Sequence, residues 1–166
     1  ALPISEAKGV VIAYDSRNKS PEFAEATALC LNANGIKTYI FDSLRPVPEL
    51  SFAVRELGCT AGIMITASHN PPEYNGYKVY WEDGAQIVSP IAEGIIAEVN
   101  KIDDYNTVKT MSKEDALAAG LYEVIGKDID DAYMEELKKQ IIHPEIIKKV
   151  ADDIKIVYTP LCGTGN

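Results

Sequence analysis

Three short apolar runs constrain most of what this chain can become. Residues 9–14 (GVVIAY), 36–41 (IKTYIF) and 60–66 (TAGIMIT) are rich in β-branched and other apolar side chains and too short for helices of normal length. Helical patterns fill the intervals between them. Ser20 and Pro21 supply an N-cap and a proline at the first helical position; the helix then runs through EFAEATALCLNAN and stops at Gly35. Pro46 and Pro48 open a second helix, ELSFAVREL, with Leu50, Val54 and Leu57 on one face and Gly58 behind it. Residues 76–81 (GYKVYW) alternate and predict a hairpin-like return strand, followed by a turn at Glu82, Asp83 and Gly84 and a helix from Pro90 through Val99. Near-continuous apolar strands are buried on both faces. The order therefore predicts an α/β chain, a three-layer α/β/α domain with a mixed, mostly parallel sheet.

The remaining sequence is more polar. Residues 101–120 read as a connection with a short helix, 127–141 and 144–150 as two further helices, and 154–158 (IKIVY) as a new strand. That strand leads into Gly163, Thr164, Gly165 and Asn166, a turn of the kind that normally feeds a helix, so the chain reads as part of something longer. The expected division is a domain over residues 1–150 and the opening of a second over 151–166.

Composition narrows the function classes. The 166 residues carry 25 acidic and 16 basic side chains, a net charge of −9, and 46% are hydrophobic, enough for a real core. That balance disfavours a broad nucleic-acid surface, although a small basic cleft stays possible. No apolar run approaches the roughly 20 residues of a membrane span, and the start lacks the pattern of a signal peptide. The expectation is a soluble, cytoplasmic protein. Cys30, Cys59 and Cys162 form no CxxC and read as buried or incidental thiols.

Chemistry in parallel sheets gathers at the carboxyl ends of the strands. Two polar tips fall there, one with Asp15, Ser16 and Arg17, the other with Ser68, His69 and Asn70. Ser68, in the run TASHNP, is either an attacking or phosphorylatable hydroxyl on a loop stiffened by proline, or part of a polar turn that bonds its own backbone. A serine hydrolase is disfavoured: the flanks do not form G-x-S-x-G, His143 is the only other histidine, and His69 points away from Ser68 in most backbone conformations.

TASHNP followed by YNGYKV at residues 74–79 resembles the phosphoserine loop of the α-D-phosphohexomutase superfamily, the phosphoglucomutases and phosphomannomutases. YDSR at residues 14–17, with Ser20 after it, resembles the upstream DxR segment, and PELSFAVRELG at 48–58 is typical of the same family. NGYKVYW with GAQI at 84–87 is most similar to the phosphoglucomutase branch that includes the glucose and pentose phosphomutases.

The resemblance implies that Ser68 carries a phosphate, donates it to a sugar phosphate and takes one back from the other end of a sugar bisphosphate. The parent enzyme would interconvert hexose 1-phosphate and hexose 6-phosphate, with a glucose 1,6-bisphosphate-type activator. Phosphoryl transfer depends on positioning and charge stabilisation, so cations near Ser68 are expected. Arg17 would grip phosphoryl oxygens, and Lys78 would neutralise charge or move a proton. His69 and Asn70 would bond the phosphate or shape the loop; Asp15 would orient Arg17 or cap amides. The family also implies Mg²⁺, held by the phosphoserine and by a DxDxD loop of a second domain. Ser68 would be the metal ligand in this chain. Asp128, Asp130 and Asp131 instead read as charges at a helix start, where carboxylates meet the positive end of the dipole.

Two functional readings follow. In the first, the chain is the first domain of a mutase, inactive alone, whose partners are the sugar phosphate and the remaining domains; a phosphopentomutase-type parent is a variant of it. In the second, it is a non-catalytic domain that binds a phosphorylated ligand or a protein.

Overall fold

The computed structural model describes residues 8–160. Strand β1 (Val10–Tyr14) lies at the centre of a five-stranded sheet ordered β4-β3-β1-β2-β5. It pairs in parallel with β2 (Thr38–Phe41) on one side and β3 (Ala61–Ile65) on the other, with Ile12 opposite both Ile40 and Ile63. Strand β4 (Tyr77–Trp81) returns antiparallel beside β3, pairing Ile65 with Tyr77 and Met64 with Lys78. The three-layer α/β/α architecture is as expected.

Both faces of β1 are buried, as its unbroken apolar sequence requires. Val10 and Ile12 pack towards α1 (Ser20–Asn32), whose Ala24 and Ala28 let the helix lie close to the sheet. Val11 and Ala13 face α2 (Val47–Glu56) through Leu50, Ala53 and Val54. Gly62 permits the closest approach on that side. A Cβ there would stand 2.6 Å from Val54 Cγ2. Both central helices end as expected, with Gly35 (φ 78°) and Gly58 (φ 62°) in the left-handed region just after them.

Past β4, α3 (Ile91–Val99) buries none of its residues, and a 3₁₀ turn follows at Tyr105–Thr107. Helix α4 (Lys113–Ala118) is capped by the Ser112 hydroxyl, which accepts from the Asp115 amide at 3.1 Å, and Ala116 joins the core beneath α1. Next comes β5 (Tyr122–Ile125), an edge strand parallel to β2 that the polar reading of this region does not anticipate. Its four residues carry too little pattern to stand out. Tertiary support forms it: Asn32 Nδ2 donates to Leu121 O at 2.8 Å, and the Thr38 amide donates to the same carbonyl at 2.7 Å. Helix α5 (Lys127–Lys138) then packs Ile129 into the α2 face, and α6 (Pro144–Val150) follows with no buried residue.

Two expectations need correction. Ser20 is not the cap of α1; it is the first helical residue, fully buried, and the cap position is Lys19 at φ 63°. Its hydroxyl is directed at Asp15 instead. The run 154–158 lies outside any strand: alternation alone supplies no ladder partner, and Ile156 and Val157 are exposed. The glycine-rich turn at 163–166 falls outside the described residues.

Candidate phosphoryl-transfer loop

Because β1 and β3 are parallel neighbours, their carboxyl ends bring both polar tips to one sheet edge. The Asp15 amide donates to Ile65 O at 3.2 Å, joining them directly. The chain leaves β3 through Thr66 and Ala67, passes Ser68, His69 and Asn70 in the open, and re-enters the sheet at β4. Gly76 closes the loop. Its carbonyl accepts from the Thr66 amide at 3.0 Å, and a Cβ on it would lie 2.6 Å from Thr66 O.

Arg17 is the principal tie across this loop. Nη1 donates to the carbonyls of Pro71 and Tyr74, each at 2.9 Å, and Nη2 to those of Ser68 at 2.7 Å and Asn70 at 2.5 Å. Its Nε faces Asp15 Oδ2 at 3.8 Å, and its side chain is only 11% exposed. The terminal N–H groups expected to grip a phosphate are thus committed to loop carbonyls. Asn75 adds a second tie, donating to Asn18 O at 3.2 Å and to Ser20 Oγ at 2.9 Å.

Ser68 itself is exposed and holds φ at 57°, an unusual conformation for a residue with a Cβ. That conformation overturns the expectation that His69 points away: Ser68 Oγ and His69 Nδ1 are 3.4 Å apart, at the outer limit of a hydrogen bond. Asn70 is exposed and follows in the same turn, its amide donating to Ala67 O at 3.1 Å. Lys78 is half-buried on β4, opposite Met64, and its ammonium has no hydrogen bond or ion pair among the described residues. His143 stands at the start of α6 against Glu145. A concavity of ≈ 860 Å³ between α1 and the loop is lined by Phe23, Thr27, Leu31, Tyr77 and others, but not by Ser68, His69 or Lys78.

The acidic residues of α5 have other tasks. Asp130 accepts from Arg45 Nε at 2.7 Å and Nη2 at 2.8 Å, and Asp131 pairs with Lys127. No group of three or more His, Cys, Asp or Glu among the described residues could hold a metal ion. Ser68 alone therefore could supply only one ligand to a divalent ion. Cys59 is buried and its thiol is pushed up to about 11 by desolvation, the state of an inert side chain.

The family model described as phosphoglucomutase/phosphomannomutase, alpha/beta/alpha domain I, matches residues 2–106. The chain belongs to this family. It is 37% identical to the phosphoglucomutase of Staphylococcus epidermidis over 158 residues, 93% of this chain and 27% of that protein. Against the human phosphopentomutase it is 36% identical over 167 residues, 96% of this chain and 26% of that protein. The crystal structure of a "putative phosphomannomutase" from Thermus thermophilus superposes with a TM-score of 0.68 at 34% identity, covering 83% of this chain and 29% of that one. The chain thus spans about a quarter of the length of the curated relatives it matches. No helix among the described residues is long and apolar enough to cross a membrane.

Neither Thr66 nor Asn75 stands out in the sequence as a site residue, although both bond within the loop framework. The signal was available in part: Thr66 ends an apolar strand immediately before the polar tip, where a buried hydroxyl needs a partner.

Proposed function

We propose that this chain is the phosphoserine-bearing first domain of a sugar-phosphate mutase that acts in the cytoplasm, and that it is inactive without the remaining domains. One observation carries the reading: an exposed serine hydroxyl at the carboxyl edge of the sheet, on a loop whose carbonyls are tied to one largely buried arginine. Ordinary polar turns do not need such a framework. A residue that must meet phosphorus in line does.

In this reading a sugar hydroxyl attacks the phosphorus on Ser68. The new P–O bond forms as the bond to Ser68 Oγ breaks, and the proton of the attacking hydroxyl ends on Oγ. After the sugar bisphosphate reorients, Ser68 Oγ attacks the phosphorus at its other end; the bond from that phosphorus to the sugar oxygen breaks, the Ser68 proton ends on that oxygen, and the sugar monophosphate leaves with Ser68 rephosphorylated. His69, close to Oγ, accepts and returns the proton; Lys78 offsets charge on the transferring group; Asn70 bonds its oxygens; Arg17 holds the loop. Mg²⁺, bound by the Ser68 phosphate together with ligands beyond these residues, would supply further charge stabilisation. A sugar bisphosphate serves as activator by phosphorylating Ser68. The likeness to a phosphopentomutase keeps a pentose phosphate as a second substrate reading beside hexose phosphates.

The test is Ser68→Ala in the full-length protein, assayed with glucose 1-phosphate and with ribose 1-phosphate. Turnover falls to background on both, and intact-mass analysis of wild type after incubation with glucose 1,6-bisphosphate shows one added phosphoryl group that the variant lacks. Retained turnover in the variant would refute the mechanism.

A further inference from the structure

Ser68 is held at both ends of its backbone. Arg17 takes its carbonyl, and its own amide donates to Thr66 Oγ1 at 3.0 Å. Thr66 is buried, and its hydroxyl in turn donates to Asp15 Oδ2 at 2.5 Å. A hydroxyl has one proton to give. With that proton committed to a carboxylate, a lone pair of Oγ1 is left facing the Ser68 amide, and the negative charge behind it strengthens the acceptor. Asp15 is itself fixed: its Oδ1 accepts from the Arg17 amide at 3.1 Å and from the Ser20 hydroxyl at 3.2 Å. The buried Ser20, which does not cap α1, belongs to this support.

The left-handed backbone of Ser68 gives the arrangement its purpose. A residue with a Cβ leaves that region readily unless its peptide groups are pinned. Relaxation of φ would swing Oγ away from the direction the loop gives it.

We propose that Thr66 is a positioning residue for phosphoryl transfer, the middle member of a strut from the Asp15 carboxylate through the Thr66 hydroxyl to the Ser68 amide, which aims Oγ without touching substrate. This inference rests on the phosphoserine reading above. Thr66→Val keeps the branched shape and the burial but removes the hydroxyl; Thr66→Ser keeps the hydroxyl and removes the methyl.

In the full-length protein with glucose 1-phosphate, Thr66→Val lowers kcat about 10- to 100-fold, the scale of an ångström of misplacement, with KM little changed. Thr66→Ser stays within about threefold of wild type by the same measure, because the strut is intact. Amide exchange at Ser68 accelerates in the valine variant only. Should Thr66→Val fail to fold, Asp15→Asn replaces it: the shape persists, the charge on the strut is lost, and a smaller fall in kcat with the same unchanged KM is expected. Wild-type kcat in Thr66→Val, or in Asp15→Asn when that variant stands in, overturns the strut. So does an equal loss in Thr66→Val and Thr66→Ser. Ser68→Ala separates the two levels of argument. If it keeps turnover, the phosphoserine reading fails and the strut falls with it; if it is inactive while Thr66→Val turns over normally, only the strut fails.

Discussion

Replacing Glu49 with glutamine should remove a pH dependence that the wild-type fold carries between about pH 5 and 8. Glu49 sits in the first turn of α2, its side chain 8% exposed, beside Arg45 Nε at 3.8 Å and against Asp130 of α5. Arg45 is already engaged by Asp130 through two hydrogen bonds and by Asp42 at 3.1 Å. Three carboxyl groups therefore compete for one guanidinium, and the most buried of them, Glu49, keeps its proton. Burial first, and then the hydrogen bond and charge of Asp130, push the Glu49 carboxyl from 4.5 up to about 7. Asp130 moves the opposite way, held below the usual carboxylate range chiefly by Arg45.

The signs follow from linkage. A carboxyl whose pKa rises on folding contributes stability that is complete below its unfolded value and is lost as pH climbs through the folded one. For Glu49 that window runs from about 4.5 to somewhat above 7. The contribution of Asp130 is lost only as pH falls through its lowered value, below this window. Each tenfold change in proton affinity is worth about 1.4 kcal/mol, so the Glu49 rise corresponds to on the order of 3 kcal/mol. At about 2–4 °C per kcal/mol for a chain of this size, Tm should fall by about 5–10 °C from pH 5 to pH 8 through this group. Glutamine cannot ionise, yet it still donates to Asp130 as the protonated carboxyl does. Thermal melts followed by circular dichroism at half-unit pH steps should show Glu49→Gln equal to wild type near pH 5 and more stable at pH 8. Parallel curves for the two proteins would refute the reasoning, because every other titrating group is common to both.

Two further predictions address packing and the loop. Gly62→Ala places a Cβ 2.6 Å from Val54 Cγ2 and 3.3 Å from Leu50 Cδ1, so α2 must shift. A loss of about 1–3 kcal/mol is expected, read as a lower Tm and partly recovered in the double variant with Val54→Ala; an unchanged Tm would contradict the close approach. Arg17→Lys keeps the charge but not the planar fork, and an ammonium cannot reach four carbonyls in that plane. Proteolytic nicking within residues 68–74 should accelerate and turnover of the full-length protein should fall about 100-fold; near-normal activity would mean that charge alone is what the site requires of Arg17.

What could be read from the sequence divides along physical lines. β1, β3, α1 and α2 were legible because their signals are local: apolar runs buried on both faces, a proline at a helix start, glycines at φ above zero just past the helix ends. The strand β5 was not, because YEVI becomes a strand only when Asn32 and Thr38 hold its entry beside β2. The run 154–158 failed in the reverse sense, having the pattern of a strand without a ladder. At the site, the residue types were visible and their tasks were not. Arg17 lies 51 residues before Ser68, and no periodicity could show that its guanidinium would turn inward to the loop's carbonyls.

That inward turn bears on how an acidic chain meets an anionic substrate. With a net charge of −9, the long-range field opposes an anion, so the proposed sugar phosphate would need local cations near Ser68. Arg17 contributes less to this than its position suggests, because its side chain is largely buried and its charge faces Asp15 at 3.8 Å. Lys78 is the candidate site residue whose ammonium has no ion pair among the described residues, and one partly screened ammonium would not balance a phosphoserine and a substrate phosphate together. On the proposed reading, the remaining positive charge would come from outside this layer of structure, from a divalent ion and from basic groups of other domains. The geometry suits that division of labour: the loop's own arginine is used for shape, bonded to four of its carbonyls, while Ser68, His69 and Asn70 stay exposed.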